Sequence, residues 1–166
     1  SSALTLKYCG WPRTTAWSKA MVSSDNQDKL VAWLCDKIGL VSTPNIRCIG
    51  SLRGTEIVGV VGFDNYNGSS IMMHAAGGPG WVSSGLPYAV FHYAFVMCKS
   101  NMVIGLVPSG NVQAIRFNTH VGFKTVLNLE GAHPDGSLLL MTMTTGECRF
   151  LNKERYGKKV QASASA

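Results

Sequence analysis

Three short apolar strands follow one another in this chain, and the segment after them changes period, a combination that few folds accept. Ile46 to Leu52 reads as a strand, Arg53-Gly54-Thr55-Glu56 as a tight connection, and Ile57 to Phe63 as a second, valine-rich strand. Asn67-Gly68 is a hairpin signal, since both residues tolerate positive φ, and Ser70 to Ala75 supplies the third strand. After Gly77-Gly78-Pro79-Gly80 the apolar spacing becomes helical. Leu86, Val90, Phe91, Ala94, Phe95 and Cys98 share one broad face of a helix from about Gly85 to Ser100, with Ser83 or Ser84 able to cap it and Pro87 tolerated in its first turn. Met102 to Val107 is a nearly continuous apolar strand of the kind buried on both faces. A second helix, Val112 to His120, stops at Gly122, and Phe123 to Leu129 and Leu138 to Thr144 read as closing strands around the turn Pro134-Asp135-Gly136. A meander that runs on into strand, helix and strand predicts an α/β (α+β) domain. Its central sheet is mixed, mostly antiparallel, of about six to seven strands, with helices on both faces.

Upstream, Leu4 to Tyr8 reads as a first strand, and Thr14-Thr15-Ala16-Trp17 can open a short helix. A clearer helix carries Leu30, Val31, Trp33, Leu34 and Ile38 at helical spacing, with Asp25 or Ser24 as its cap and Gly39 as its stop. With 166 residues, no internal repeat and no linker, one domain over residues 1–151 is expected. Lys153, Arg155, Lys158 and Lys159 then lead into the alanine–serine end 162–166, so residues 152–166 read as a flexible basic tail.

Only 14% of residues are charged against 46% hydrophobic, which predicts a large buried fraction or a surface that meets a partner. The net charge of +6, part of it from the terminal basic cluster, comes without aromatic–basic interleaving, so nucleic acid is not expected, and an acidic small ligand accounts for some positive surface just as well. Five cysteines at wide spacing, with no C-x-x-C pair, argue against a structural metal and for reduced thiols in a cytoplasmic protein; Cys35 and Cys98 read as core. No apolar run reaches the length of a membrane span, Tyr88 to Cys98 being too short, and no secretion signal is visible at the start given.

The element order, together with Asn111-Val112-Gln113-Ala114-Ile115-Arg116-Phe117-Asn118-Thr119-His120-Val121-Gly122-Phe123, resembles the GCN5-related N-acetyltransferase (GNAT) superfamily over roughly Ile46 to Met143. Each residue of the pattern also has a structural use: Asn111 caps, Ala114 permits close approach, Gly122 stops the helix and Phe123 seeds a strand. The resemblance implies acetyl-CoA as acetyl donor, lying in a gap between the strand before the long helix and the strand after it. Met73, His74 and Ala75 would then line the cofactor strand, and Asn111 and Ala114 would support the gap. The pyrophosphate would meet the amides of Ser83, Ser84 and Gly85. Two departures stand out. Gly80-Trp81-Val82-Ser83-Ser84-Gly85 lacks the Arg or Gln that usually leads the family's loop, and Asn118 stands where many members have a tyrosine resembling a general acid.

Acetyl transfer to an amine needs a base, and His74, near the end of the cofactor strand, is the best-placed candidate, with a satisfied strand histidine as the bland reading. His120 could act only if it faces the gap, while His92 and Tyr93 read as packing. Glu56 and Asp64 flank the middle strand and read as solvated and turn residues; Trp11, Trp17, Trp33 and Trp81 could line an acceptor site but more often are core. Tyr93-Ala94-Phe95, the turn Gly131 to Gly136 and the stretch Glu147 to Leu151 are similar to acetyltransferase-like proteins of tailed bacteriophages. Two readings follow from the resemblance. One is an acetyl-CoA-dependent N-acetyltransferase acting on a protein or small-molecule amine, in the host cytoplasm and with a host protein as one acceptor. The other is a non-catalytic relative that keeps the scaffold as a virion or host-interaction protein. Homodimerisation is left open.

Overall fold

The computed structural model describes residues 20–82 and 85–157. The expected strand Leu4–Tyr8, the helix opening at Thr14, Cys9, Trp11, Trp17, Ser83, Ser84 and the chain beyond Gly157 lie outside the described residues. A short strand that the sequence reading missed, β1 (Ala20–Ser23), pairs with β2 (Arg47–Arg53) at one edge of a sheet. β3 (Glu56–Asp64) and β4 (Ser70–Gly77) continue the meander, and β5 (Met102–Pro108), β6 (Lys124–His133) and β7 (Gly136–Thr144) complete seven strands in the order β1-β2-β3-β4-β5-β7-β6. Every pairing is antiparallel except β4 with β5, so the mixed, mostly antiparallel sheet is as expected.

Side chains alternate between the two faces of a strand, and the apolar ones divide accordingly. Val60 and Ala76 turn to one face, where α1 (Gln27–Ile38) brings Leu30 and Leu34 against Ile46 and Cys48. The helix comes close because Gly62 has no side chain: a Cβ there would sit 2.5 Å from Leu34 Cδ2. Its first turn is pinned by Gln27, whose Nε2 donates to the Cys48 carbonyl and whose Oε1 accepts from the Cys48 N–H. The cap is Asn26, at φ 58 and without a side-chain bond, rather than Asp25 or Ser24; the stop is Gly39 as expected. Val61, Phe63, Met73 and Ala75 turn to the other face, under α2 (Leu86–Phe91) and α3 (Val112–Val121).

Two expectations need correcting. The helix read from Gly85 to Ser100 is α-helical only to Phe91; His92–Met97 forms a wider π turn in which the Cys98 N–H donates to the Tyr93 carbonyl. Apolar spacing alone does not separate the two, and Tyr93 still packs on Phe63 at 5.3 Å. The strand β5 is not buried on both faces. Val103, Gly105 and Val107 are buried, whereas Met102, Ile104, Leu106 and Pro108 are half-buried, because α1 packs mainly on β2, β3 and β4. Past Leu151 the chain is helical through Lys153–Gly157, and Tyr156 meets Phe150 edge-on at 5.3 Å. No helix among the described residues is long and apolar enough to cross a membrane.

Candidate active site

The sheet opens at one place. β4 keeps its register with β3 as far as Gly77, but it pairs with β5 only over Ser70–Met72 against Met102–Ile104. Among the described residues, the edge of β4 that faces β5 has no strand partner from Met73 to Gly77, although Met73, Ala75 and Ala76 are each less than 5% exposed. An inward strand edge of this kind leaves backbone donors and acceptors to be met by something other than the sheet. Met73 and Ala75 face α2 and α3, and His74 between them faces α1.

His74 is fully buried, and its Nε2 lies 2.7 Å from Asp64 Oδ1, with Asp64 only 3% exposed. The pair forms because Gly62 stands opposite His74 and Met72 opposite Asp64, which puts both side chains on one face, two positions apart along the hairpin. The same carboxylate oxygen accepts from Asn65 Nδ2 at 3.2 Å. His74 Nδ1 has no partner. In the tautomer whose Nε2 donates to Asp64 Oδ1, Nδ1 keeps the lone pair, the arrangement of an oriented base. Next to the pair, burial first, and then the Cys35 thiol and the Asp64 charge, push the Cys48 thiol up to about 12. Asp64, read from sequence as a turn residue, is therefore a partner of the histidine.

The other candidates scatter. Asn111 caps α3, its Oδ1 accepting from the Ala114 N–H at 3.1 Å, and Ala114 is fully buried. Gly85 starts α2 with no side-chain cap. Asn118 is fully buried, its Oδ1 is unpartnered and its Nδ2 lies 3.8 Å from Met141 Sδ. His120 is exposed in the last turn of α3 and is not brought to His74; Phe117 and Val121 of the same helix line the cavity beside β4 instead. His92 packs tilted against Tyr88 with ring centroids 5.3 Å apart, which is packing as expected. Among the described residues no group of three or more His, Cys, Asp or Glu is placed to hold a metal.

Two further residues enter the site: Trp81, which the sequence offered as an acceptor-site or core residue, and Arg53, which it did not single out. Trp81 is 3% exposed and lies flat on the paired glycines Gly59 and Gly77, where added Cβ atoms would come within 2.3 and 2.1 Å of its ring carbons. Its ring is 6.0 Å from Phe117, so the two aromatics reach from the end of β4 to the helix that follows β5. Arg53, at the β2–β3 turn, brings its guanidinium against Gly80, where a Cβ would be 3.2 Å from Nη2. Arg53, Lys37 and Trp33 line a hollow of about 480 Å³ with Glu56 and Gly77–Pro79.

Acetyl-CoA makes two demands on this region, an open strand edge for the amides of its arm and room for the arm. The edge Met73–Gly77 fits the first. On the helix side, the cavity between Met73, Ala75, Trp81 and Phe117 is only about 40 Å³, close to the space of one water. The chemistry of the edge therefore fits the group, while the resting Trp81 takes the room.

No protein-family model matches the sequence, and no curated protein matches it. Among solved structures, a variant of the spermidine N-acetyltransferase SpeG from Vibrio cholerae is similar with a TM-score of 0.62 at 14% identity, over 82% of this chain and 99% of its own. The dodecameric spermidine N-acetyltransferase of the same organism, in an intermediate state, gives 0.63 at 12% identity over 82% and 98%. Identity at this level speaks for architecture alone, and on that evidence the chain has the fold of the GCN5-related N-acetyltransferases.

Proposed function

We propose that the chain is an acetyl-CoA-dependent N-acetyltransferase that acts on a protein or small-molecule amine. The observation that carries the proposal is the parting of β4 from β5 after Met72, which leaves an inward strand edge beside a buried histidine–aspartate pair. When bound, acetyl-CoA supplies a thioester, an acyl group already activated toward an amine. The unpaired edge from Met73 to Gly77 would hold the amides of its arm as a neighbouring strand would. The Gly85 amide, with Ser83 and Ser84 as sequence candidates, would meet the phosphates. Arg53, delivered against Gly80 from another strand, would supply the cation that the loop itself lacks. Asn111 and Ala114 keep the start of α3 in place beside the gap.

The chain's own contribution to the chemistry is proton handling and orientation. An ammonium acceptor must lose a proton before it can attack, and the unpartnered lone pair on buried His74 Nδ1 would take it through a water, since the ring itself is closed to solvent. Asp64 fixes the ring and stabilises the imidazolium once it forms. Incubation with acetyl-CoA and a panel of amines, following thiol release, tests this. His74→Gln should lower kcat/KM by about 10²–10³-fold and leave acetyl-CoA affinity within about twofold. An unchanged rate would remove His74 from the mechanism.

A second reading keeps the scaffold without catalysis, as a virion or host-interaction protein. Trp81 filling the gap and the buried Asn118, which cannot give up a proton, favour it. It expects no thiol release with any amine.

A further inference from the structure

We propose that Trp81 is a removable wedge: in the resting chain its indole fills the trough beside the open edge of β4, and it must swing out before a ligand's arm can enter. The proposal rests on reading the split as the cofactor site. It begins with the glycine pair. Gly59 and Gly77 face each other across β3 and β4, and both are bare on the side of the indole. Two glycines at paired positions inside strands cost backbone entropy, and a flat trough wide enough for a ring or an extended chain is what they provide. Trp81 occupies that trough at 3% exposure, and with Phe117 at 6.0 Å it closes the helix side of the split.

The indole is held there by burial but not by specific bonds. Its Nε1 is buried without a hydrogen-bond partner among the described residues, a defect that a permanently seated core tryptophan avoids. The side chains that line the trough around it, Met73, Ala75, Val82 and Phe117 among them, are apolar, so no side chain of the lining supplies the missing acceptor. The residue is also tethered for movement. It follows Gly77-Gly78-Pro79-Gly80, with Gly80 at φ 72, and lies in neither helix nor strand. One backbone bond, from the Trp81 N–H to the Gly78 carbonyl at 3.2 Å, closes the turn beneath it. A ring that competes with the ligand for one place lowers apparent affinity by the fraction of time the place is open.

Two measurements on the whole chain test the wedge. The first needs no ligand: the solvent exchange of the Trp81 indole N–H, followed by NMR and assigned with Trp81→Phe. The wedge predicts exchange through a local opening, insensitive to low denaturant and at least about 100-fold faster than the Val60 and Val103 amides. Exchange of Trp81 in step with those core amides would overturn it. The second is titration of acetyl-CoA into the wild type and Trp81→Ala, with binding about tenfold tighter expected in the variant. Equal or weaker binding by a folded variant would make Trp81 a fixed part of the core and overturn the wedge. If the indole opens locally but neither protein binds acetyl-CoA, the wedge stands and the acetyltransferase reading falls.

Discussion

At the scale of single residues, the site turns on a pair that the sequence hid. A histidine near the end of β4 stands out in the sequence; its partner Asp64 does not, and the reason is register. Taking Asn67-Gly68 as a two-residue hairpin turn puts Asp64 and His74 on opposite faces. The loop runs from Asn65 to Ser69, with the Asn67 side chain accepting from the Ser69 and Ser70 N–H groups, and this one-residue shift brings both onto one face. The same burial makes a prediction for Cys48, whose thiol is pushed up to about 12 chiefly by desolvation. In native protein at neutral pH, Cys48 should resist iodoacetamide and become alkylated only on unfolding, as read by peptide mass spectrometry. Glu147 behaves in the opposite sense. Lys124 first, then the N–H and hydroxyl of Thr144, hold its carboxyl down at about 2 instead of 4.5. A carboxyl lowered by folding stabilises the fold above its unfolded value and loses that contribution as pH falls from about 4.5 toward 2. Glu147→Gln should therefore melt slightly below wild type at pH 7, and the two melting curves should converge near pH 2.

At the scale of elements, the helices show what spacing can and cannot tell. α3 was legible in full because its cap, apolar face and stop are local: Asn111→Ala should cost about 1 kcal/mol in denaturant unfolding, the usual loss for an N-cap whose oxygen accepts a backbone N–H. The helix after Gly85 was legible only to Phe91. The π turn that follows depends on tertiary packing, and the chain leaves it through Lys99 at φ 55, a strained value for a side chain. Lys99→Gly should relieve that strain and raise the unfolding free energy by about 1 kcal/mol. In β3 and β4 the paired glycines Gly59 and Gly77 seat the Trp81 ring, a use that the strand pattern does not reveal. Gly77→Ala should cost about 1–3 kcal/mol, since its Cβ would meet the Trp81 ring at 2.1 Å. Adding Trp81→Ala should recover most of that loss in a double-mutant cycle.

At the scale of the molecule, the mixed sheet was predictable because a meander feeding strand, helix and strand leaves few ways to close. β1 was missed because it is four residues long at a sheet edge, where little periodicity is needed. The split itself cannot be read from residue types, since β4 and β5 look like any parallel pair; their parting after Met72 was expected only through the family resemblance. That parting is the centre of the account, and calorimetric titration with acetyl-CoA, compared with free CoA at moderate salt, addresses it directly. Micromolar binding, weakened about tenfold by Arg53→Ala through the lost phosphate contact, is the expected result. No heat of binding up to millimolar acetyl-CoA, in the wild type and in Trp81→Ala alike, would contradict the account and leave the fold without its proposed chemistry.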